Sequence, residues 1–355
     1  MGIMALDLHE DEMGRKKRAV VPPVSEVQQK VLNQAFTQLY VLTPSQVCKL
    51  MYSAGSLRRV EKTMTELVTL GILRRFKLPT SEGKRPFLYT LTELGVMYLE
   101  GCGFDREDIY FLPEGETERN FEKMTHLIEL NDFFILAMLF AKRSEYVVSL
   151  DIQHDMIFQR KPIISLDGEG KEVRIEPDGF LDFMVKLPNR DEIRVPVWIE
   201  LDRGNHSINA YRRKYRNIKL AGKNGALKAR FGTDDITYSY VTTTGVSRVN
   251  ALRLWTRYEL KEVGPFSRPN RAFKFISLPD YRTQTVEWLR DFDVNRLFAD
   301  NMWSVAYGDD NLRFALIEDI AVMKMNDDKV SDNSDGGLNS NIVDISDRKH
   351  RDRFA

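Results

Sequence analysis

Between Ser25 and Tyr40 the apolar residues Val27, Val31, Leu32, Ala35 and Leu39 return at helical spacing, with Ser25 suited to the cap, so the pattern predicts a first helix. Thr43 and Pro44 open a second, short helix that turns Val47, Leu50 and Met51 inward and stops at Ala54-Gly55. Ser56 begins a third, whose stripe of Leu57, Val60, Met64, Leu67 and Val68 leaves Arg58, Arg59, Lys62 and Thr63 on other faces. Two short strands follow, 71–77 and 86–91, around a turn with Gly83, Lys84 and Arg85. Gly, Pro and Glu then interrupt the periodicity, which predicts a linker over 101–118. Beyond it the expected order is a strongly apolar helix over 121–142 and strands over 146–152, 173–186 and 192–202. A basic helix over 205–220, a strand over 236–243 and a helix over 248–260 complete it. In 192–202, Ile193, Val195, Val197, Ile199 and Leu201 face one way and Trp198, Glu200 and Asp202 the other. Pro196 argues for an edge or a bulge there.

Three helices and a hairpin make a winged helix-turn-helix, expected over 25–100, and the mixed helices and strands of 119–325 make a second, α/β (α+β) domain. The length of 355 residues allows two such cores. Residues 1–24, with the cluster Arg15-Lys16-Lys17-Arg18 and the pair Pro22-Pro23, are expected to form a mobile basic arm. The Asp-, Asn- and Ser-rich stretch 326–355 is expected to be a disordered tail. The 52 basic and 52 acidic side chains cancel, so any affinity for polyanions depends on their distribution. From Arg15 to Thr90 fourteen lysines and arginines stand against four glutamates, a local charge of +10. Such a surface suits double-stranded DNA, with Arg58, Arg59, Lys62, Arg74, Arg75, Lys84 and Arg85 as the expected contacts. The bland alternative is a protein-interaction winged helix with a solvated basic face. Cys48 and Cys102 carry no metal-type spacing, and the apolar run 133–141 is too short to span a bilayer. With no signal-type segment, no membrane partner and a cytoplasmic location are expected.

Carboxylates mark the candidate chemistry. Glu122, His126 and Glu129 share one side of the apolar helix, Glu176-Pro177-Asp178-Gly179 lies in one strand, and Glu200-Leu201-Asp202-Arg203-Gly204 ends the next. The order of elements, with Asp178 and Glu200 on successive strands, resembles the PD-(D/E)XK nuclease core. Together with the N-terminal winged helix, the stretches His126-Leu127-Ile128-Glu129-Leu130-Asn131-Asp132, Glu176 to Gly179 and Glu200 to Gly204 look like the replication-relaxation family of plasmids and other mobile elements, over roughly residues 25–290. The resemblance implies a PD-(D/E)XK nuclease-like mixed-sheet domain in a DNA-handling protein for replication, relaxation or transfer.

Phosphodiester hydrolysis needs an activated water and neutralised phosphoryl charge, which Mg²⁺ or Mn²⁺ held by carboxylates supplies. Asp178, Glu200 and Asp202 are the expected metal ligands, and Glu129 completes or orients the shell. Asp202 stands where a nuclease of this fold usually has lysine, and a carboxylate cannot donate to developing negative charge. Lys214, bordering the apolar face of Ile208, Tyr211, Tyr215 and Ile218, is the candidate to replace that lysine, with Arg203 the second choice. From Arg203 to Arg230 nine basic side chains occur without one acid; Arg203, Arg212, Arg213 and Arg216 among them suit a DNA backbone rim. Tyr211 and Tyr215 read as packing residues, His126 as a supporting histidine, and 222–225 lacks the context of a nucleotide-binding loop. Two functions compete. One is a metal-dependent DNA endonuclease (nickase) of a mobile element; the other is a non-catalytic regulator or accessory factor whose nuclease-like domain serves as scaffold or homodimer surface.

Overall fold

Two reciprocal caps fix the start of the N-terminal helices. Ser25 accepts from the Gln28 N–H while Gln28 reaches back to the Ser25 backbone, and Thr43 and Gln46 do the same, opening α1 (Glu26–Val31) and α2 (Pro44–Met51). The structure, a computed structural model, describes residues 5–10, 16–20, 22–52, 54–77, 86–109, 111–112, 121–188, 190–261, 264, 267–278, 294–308, 312–318 and 320. Lys84, Arg85, residues 113–118 of the expected linker and the expected tail lie outside them. Ahead of α1, β1 (Ala5–Glu10) and β2 (Lys16–Val20) pair antiparallel, where a mobile arm is expected; Leu6 and Leu8 alternate with polar neighbours as a strand requires.

The first helix is expected to run to Tyr40, yet α1 passes at Leu32–Phe36 into a π-helical turn that keeps Leu32, Ala35 and Phe36 buried. Next come α3 (Leu57–Thr69), the antiparallel hairpin β3 (Leu73–Lys77) and β4 (Phe87–Leu91), and α4 (Glu93–Gly101). Thr63 is buried with Val60, Met64 and Leu67, since it lies one helical turn from Val60 and Leu67. Ile109 and Leu112, within the stretch expected as linker, are buried too.

The remaining described elements are α5 (Phe121–Arg143), β5 (Val147–His154), α6 (Asp155–Arg160), β6 (Ile163–Leu166), β7 (Glu172–Ile175), β8 (Gly179–Lys186), β9 (Glu192–Asp202), α7 (Ile208–Lys223), α8 (Ala226–Phe231), β10 (Thr237–Thr242), α9 (Val246–Leu260), α10 (Arg268–Arg271), β11 (Phe273–Ser277), α11 (Val294–Ala299), β12 (Trp303–Val305) and β13 (Arg313–Phe314). Seven strands form one mixed sheet in the order β13-β12-β11-β10-β9-β8-β5, with β9, β10 and β11 parallel and the other neighbours antiparallel. The protein is thus of the mixed α/β class.

Alternation along β8 and β9 builds a layer on each face. Leu181, Phe183, Val197, Ile199 and Leu201 join the core of α5 and α11, whereas Phe180 and Trp198 join that of α7, α8 and α9. One strand expected over 173–186 is two, because the chain breaks at Glu176 to Asp178 and β7 pairs instead with β6 in a separate hairpin. Pro196 costs little: β10 joins β9 only from Val197, so its missing N–H falls beyond that ladder. Among the described residues one helical stretch, Lys123–Arg143 of α5, is long and apolar enough to cross a membrane; 78% of its apolar window is buried inside the protein.

Candidate active site

The register of β8 and β9 brings two acids together. Gly179 pairs with Ile199, so Asp178, one residue before β8, adjoins Glu200. Gly179 is demanded by packing, since a Cβ there would overlap the ring of Phe134 from α5. Asp178 Oδ2 accepts from the Leu201 backbone N–H at 2.8 Å, and His126 Nε2 of α5 lies 3.4 Å from the same oxygen.

Lys214 reaches this pair from α7. Ser207 caps that helix, and the buried faces of Tyr211, Tyr215 and Ile218 turn the helix so that the Lys214 ammonium donates to Glu200 Oε2. The other Glu200 oxygen accepts from Trp198 Nε1 at 2.5 Å. Burial pushes the Glu200 carboxyl up to about 7; Lys214 opposes this and Asp178 adds to it. Burial also acts to raise Asp178, but Lys214 and His126 outweigh it and hold that carboxyl well below the usual range. For Lys214 burial acts downward, yet Glu200 and Asp178 raise its pKa. His126 loses to burial and gains more from Asp178, which lifts it to about 8. The two acids therefore differ: one is firmly anionic and the other titrates near neutrality.

Glu200, Asp202 and Lys214 line an open cleft of about 400 Å³, together with Arg174 and Glu176 at the β6–β7 hairpin and Arg213 on α7. Asp202, the expected third ligand, is committed elsewhere. Arg248 at the start of α9 donates to both its oxygens at 2.7–3.1 Å, and Gly204 N–H donates to one of them. Arg248 also stacks over Trp255, 4.7 Å from the ring centroid. Glu129, unlike Asp202, is not in the cleft. It lies buried on the α5 side of the sheet, paired at 2.9 Å with Arg203, because Arg203 follows Asp202 and so points to the opposite face. Arg203 is accordingly an internal counter-ion and not an exposed rim residue.

Among the described residues no three His, Cys, Asp or Glu side chains come together as a metal-holding group. Asp178 and Glu200 remain. A Mg²⁺ ion uses one or two carboxylates and fills its other positions with water and phosphate oxygens, so this pair fits a hydrated hard cation and not a three-carboxylate cage. Each Glu200 oxygen retains a second lone pair beside the hydrogen bond described, whereas Asp178 Oδ2 already faces both the Leu201 N–H and His126 Nε2.

Of the other expected contacts, Arg58, Arg59 and Lys62 are exposed on α3, and Arg75 is exposed over the Phe87 ring of the hairpin. Arg74 instead donates to the Leu112 carbonyl, and Arg212 pairs with Glu259 at 2.5 Å. Arg213 and Arg216 are exposed on α7. Tyr211 and Tyr215 are buried with their phenols pushed up by burial, as packing residues should be. Sequence reasoning missed Arg248, which no local spacing ties to Asp202. It also left His126 without a partner, although its place one turn before Glu129 faced it to the sheet.

No curated protein and no solved structure matches the chain. A family model described as replication-relaxation matches residues 35–227, more than half of the chain and a span that contains Asp178, Glu200 and Lys214. The stretches around His126, Asp178 and Glu200 that resemble that family are those the fold gathers around the Asp178–Glu200 pair, and the chain belongs to the replication-relaxation family.

Proposed function

We propose that the protein binds DNA through its N-terminal winged helix and hydrolyses a phosphodiester bond in the cleft of a PD-(D/E)XK-like domain. Membership of the family ties the chain to replication or relaxation of plasmids or other mobile elements. The observation that carries the proposal is the meeting of Lys214 with Glu200 beside Asp178. It returns a lysine to the position that Asp202 leaves without one. Asp178 and Glu200 would hold Mg²⁺ or Mn²⁺, which when bound supplies a Lewis acid and an acidified water. The Lys214 ammonium then faces the negative charge that grows on the phosphoryl oxygens as water adds to phosphorus and the ester oxygen departs. Trp198 and His126 hold the two carboxylates in place.

Incubating supercoiled plasmid with the protein and Mg²⁺ or Mn²⁺ tests this. Relaxed or linear product is expected from the wild type and not from Asp178→Ala, Glu200→Ala or Lys214→Met. The Arg248 clamp on Asp202 favours a second reading, a DNA-binding accessory factor that does not cleave. Supercoils unchanged under every metal would decide for it.

A further inference from the structure

We infer that the exposed face of α7 is a track for the phosphodiester backbone of a DNA strand running into the cleft. A second groove, lined by Ser207, Asn209, Ala210, Arg213, Arg216 and Asn217, lies beside the cleft and shares Ala210, Arg213 and Asn217 with it. The two adjoin along the helix. Its cations are available, in contrast to their neighbours. Arg203, Arg212 and Lys214 are paired with Glu129, Glu259 and Glu200, whereas among the described residues Arg213 and Arg216 form no ion pair and are exposed. Arg216 Nε donates to the Arg212 carbonyl, which aims its guanidinium along the helix and leaves the terminal nitrogens for a ligand. No acid occurs from Arg203 to Arg230, and among the described residues none lines the second groove.

The chemistry and the length both point to a polymer. Arginine forks match phosphate oxygens, and Ser207, Asn209 and Asn217 add neutral hydrogen-bonding groups. Asn209 to Arg216 climbs about 10 Å at 1.5 Å per residue. Arg213 and Arg216 lie on it almost one turn apart, so the face can meet more than one phosphate of a strand. Among the described residues no aromatic side chain lines the second groove, so it grips the backbone without stacking on bases, and strand binding there is independent of sequence. The proposed reading of the cleft is needed only for where the strand leads.

Binding is therefore read in EDTA, so that failure of cleavage and failure of the track are separate results. Fluorescence anisotropy of the full chain with labelled single-stranded and duplex oligonucleotides, over a range of salt, is the measurement. Arg213→Ala/Arg216→Ala is expected to weaken single-strand binding by about tenfold at 0.1 M salt and to flatten the log–log salt slope by about 1.4, two contacts at ~0.7 each. Lys142→Ala/Arg143→Ala, which removes the same charge from the exposed end of α5, is expected to change affinity less than about twofold. All four side chains are exposed, and unchanged thermal melts confirm intact folding. Equal losses from both double variants would show a bulk charge effect and overturn the track. So would an unaltered salt slope in the groove variant, or a loss confined to duplex.

Discussion

His126 shows how much one side chain's neighbours decide. Its helical spacing alone suggested a supporting histidine, and the structure gives it Asp178 as partner at 3.4 Å. Burial disfavours its charge, Asp178 favours it more, and the folded pKa of about 8 lies above the ordinary 6.5. The sign follows: the folded state binds the proton more tightly, so this contribution to stability is complete below pH about 6.5 and disappears as pH rises through about 8. Urea melts in EDTA are expected to show wild-type stability falling across that window and His126→Gln remaining flatter. Parallel curves for the two proteins would show that the pair adds nothing. Asp202 gives the opposite lesson. Its type and place on β9 were legible, but the Arg248 that occupies it lies 46 residues on, and no periodicity links the two.

Helices were more legible than the polar ties between them. The apolar positions of α7 predicted which way Lys214 turns, because a helix packed on one face fixes where its border residues lie. The β6–β7 hairpin was not legible within the single strand expected over 173–186, since a short strand pair has too few positions to show its own alternation. Hidden from the sequence altogether was the seam between α2 and α5. Gln46 donates to the Ile128 carbonyl at 2.8 Å and Lys49 pairs with buried Asp132 at 3.3 Å. Burial drives the Asp132 carboxyl up and Lys49 opposes it. Removing one partner strands the other, so Lys49→Met is expected to cost about 3–5 kcal/mol in urea melts. Lys49→Met/Asp132→Leu should recover most of that loss; if it does not, the seam depends on shape and not on charge.

At the scale of the whole molecule, one apolar cluster extends from Val31 in α1 through α5 to Ile320, and Asn131 and Asp155 bond across the same seam to Val41 and Tyr40. Chain length and the broken pattern over 101–118 suggested two cores, but pattern alone cannot reveal a contact surface between them. A shared core predicts one cooperative transition. All tryptophans lie at or after Trp198, and Trp198 and Trp303 sit in the sheet with Trp255 on α9, so fluorescence follows the C-terminal part of the chain, while far-UV circular dichroism reports the N-terminal helices as well. The two thermal curves are expected to coincide. An early loss of helix signal at constant fluorescence would mean that the N-terminal unit melts alone.

Lys214 approaches Glu200 from a helix, whereas Asp178 and Glu200 adjoin through strand register. Length changes would consequently be felt very unevenly. An extra residue beside the exposed Asn205 can bulge outward, but one inserted between Ile208 and Lys214 would rotate the ammonium by about 100° around the axis of α7 and carry it away from Glu200. Insertional scanning would find a permissive stretch directly beside an intolerant one.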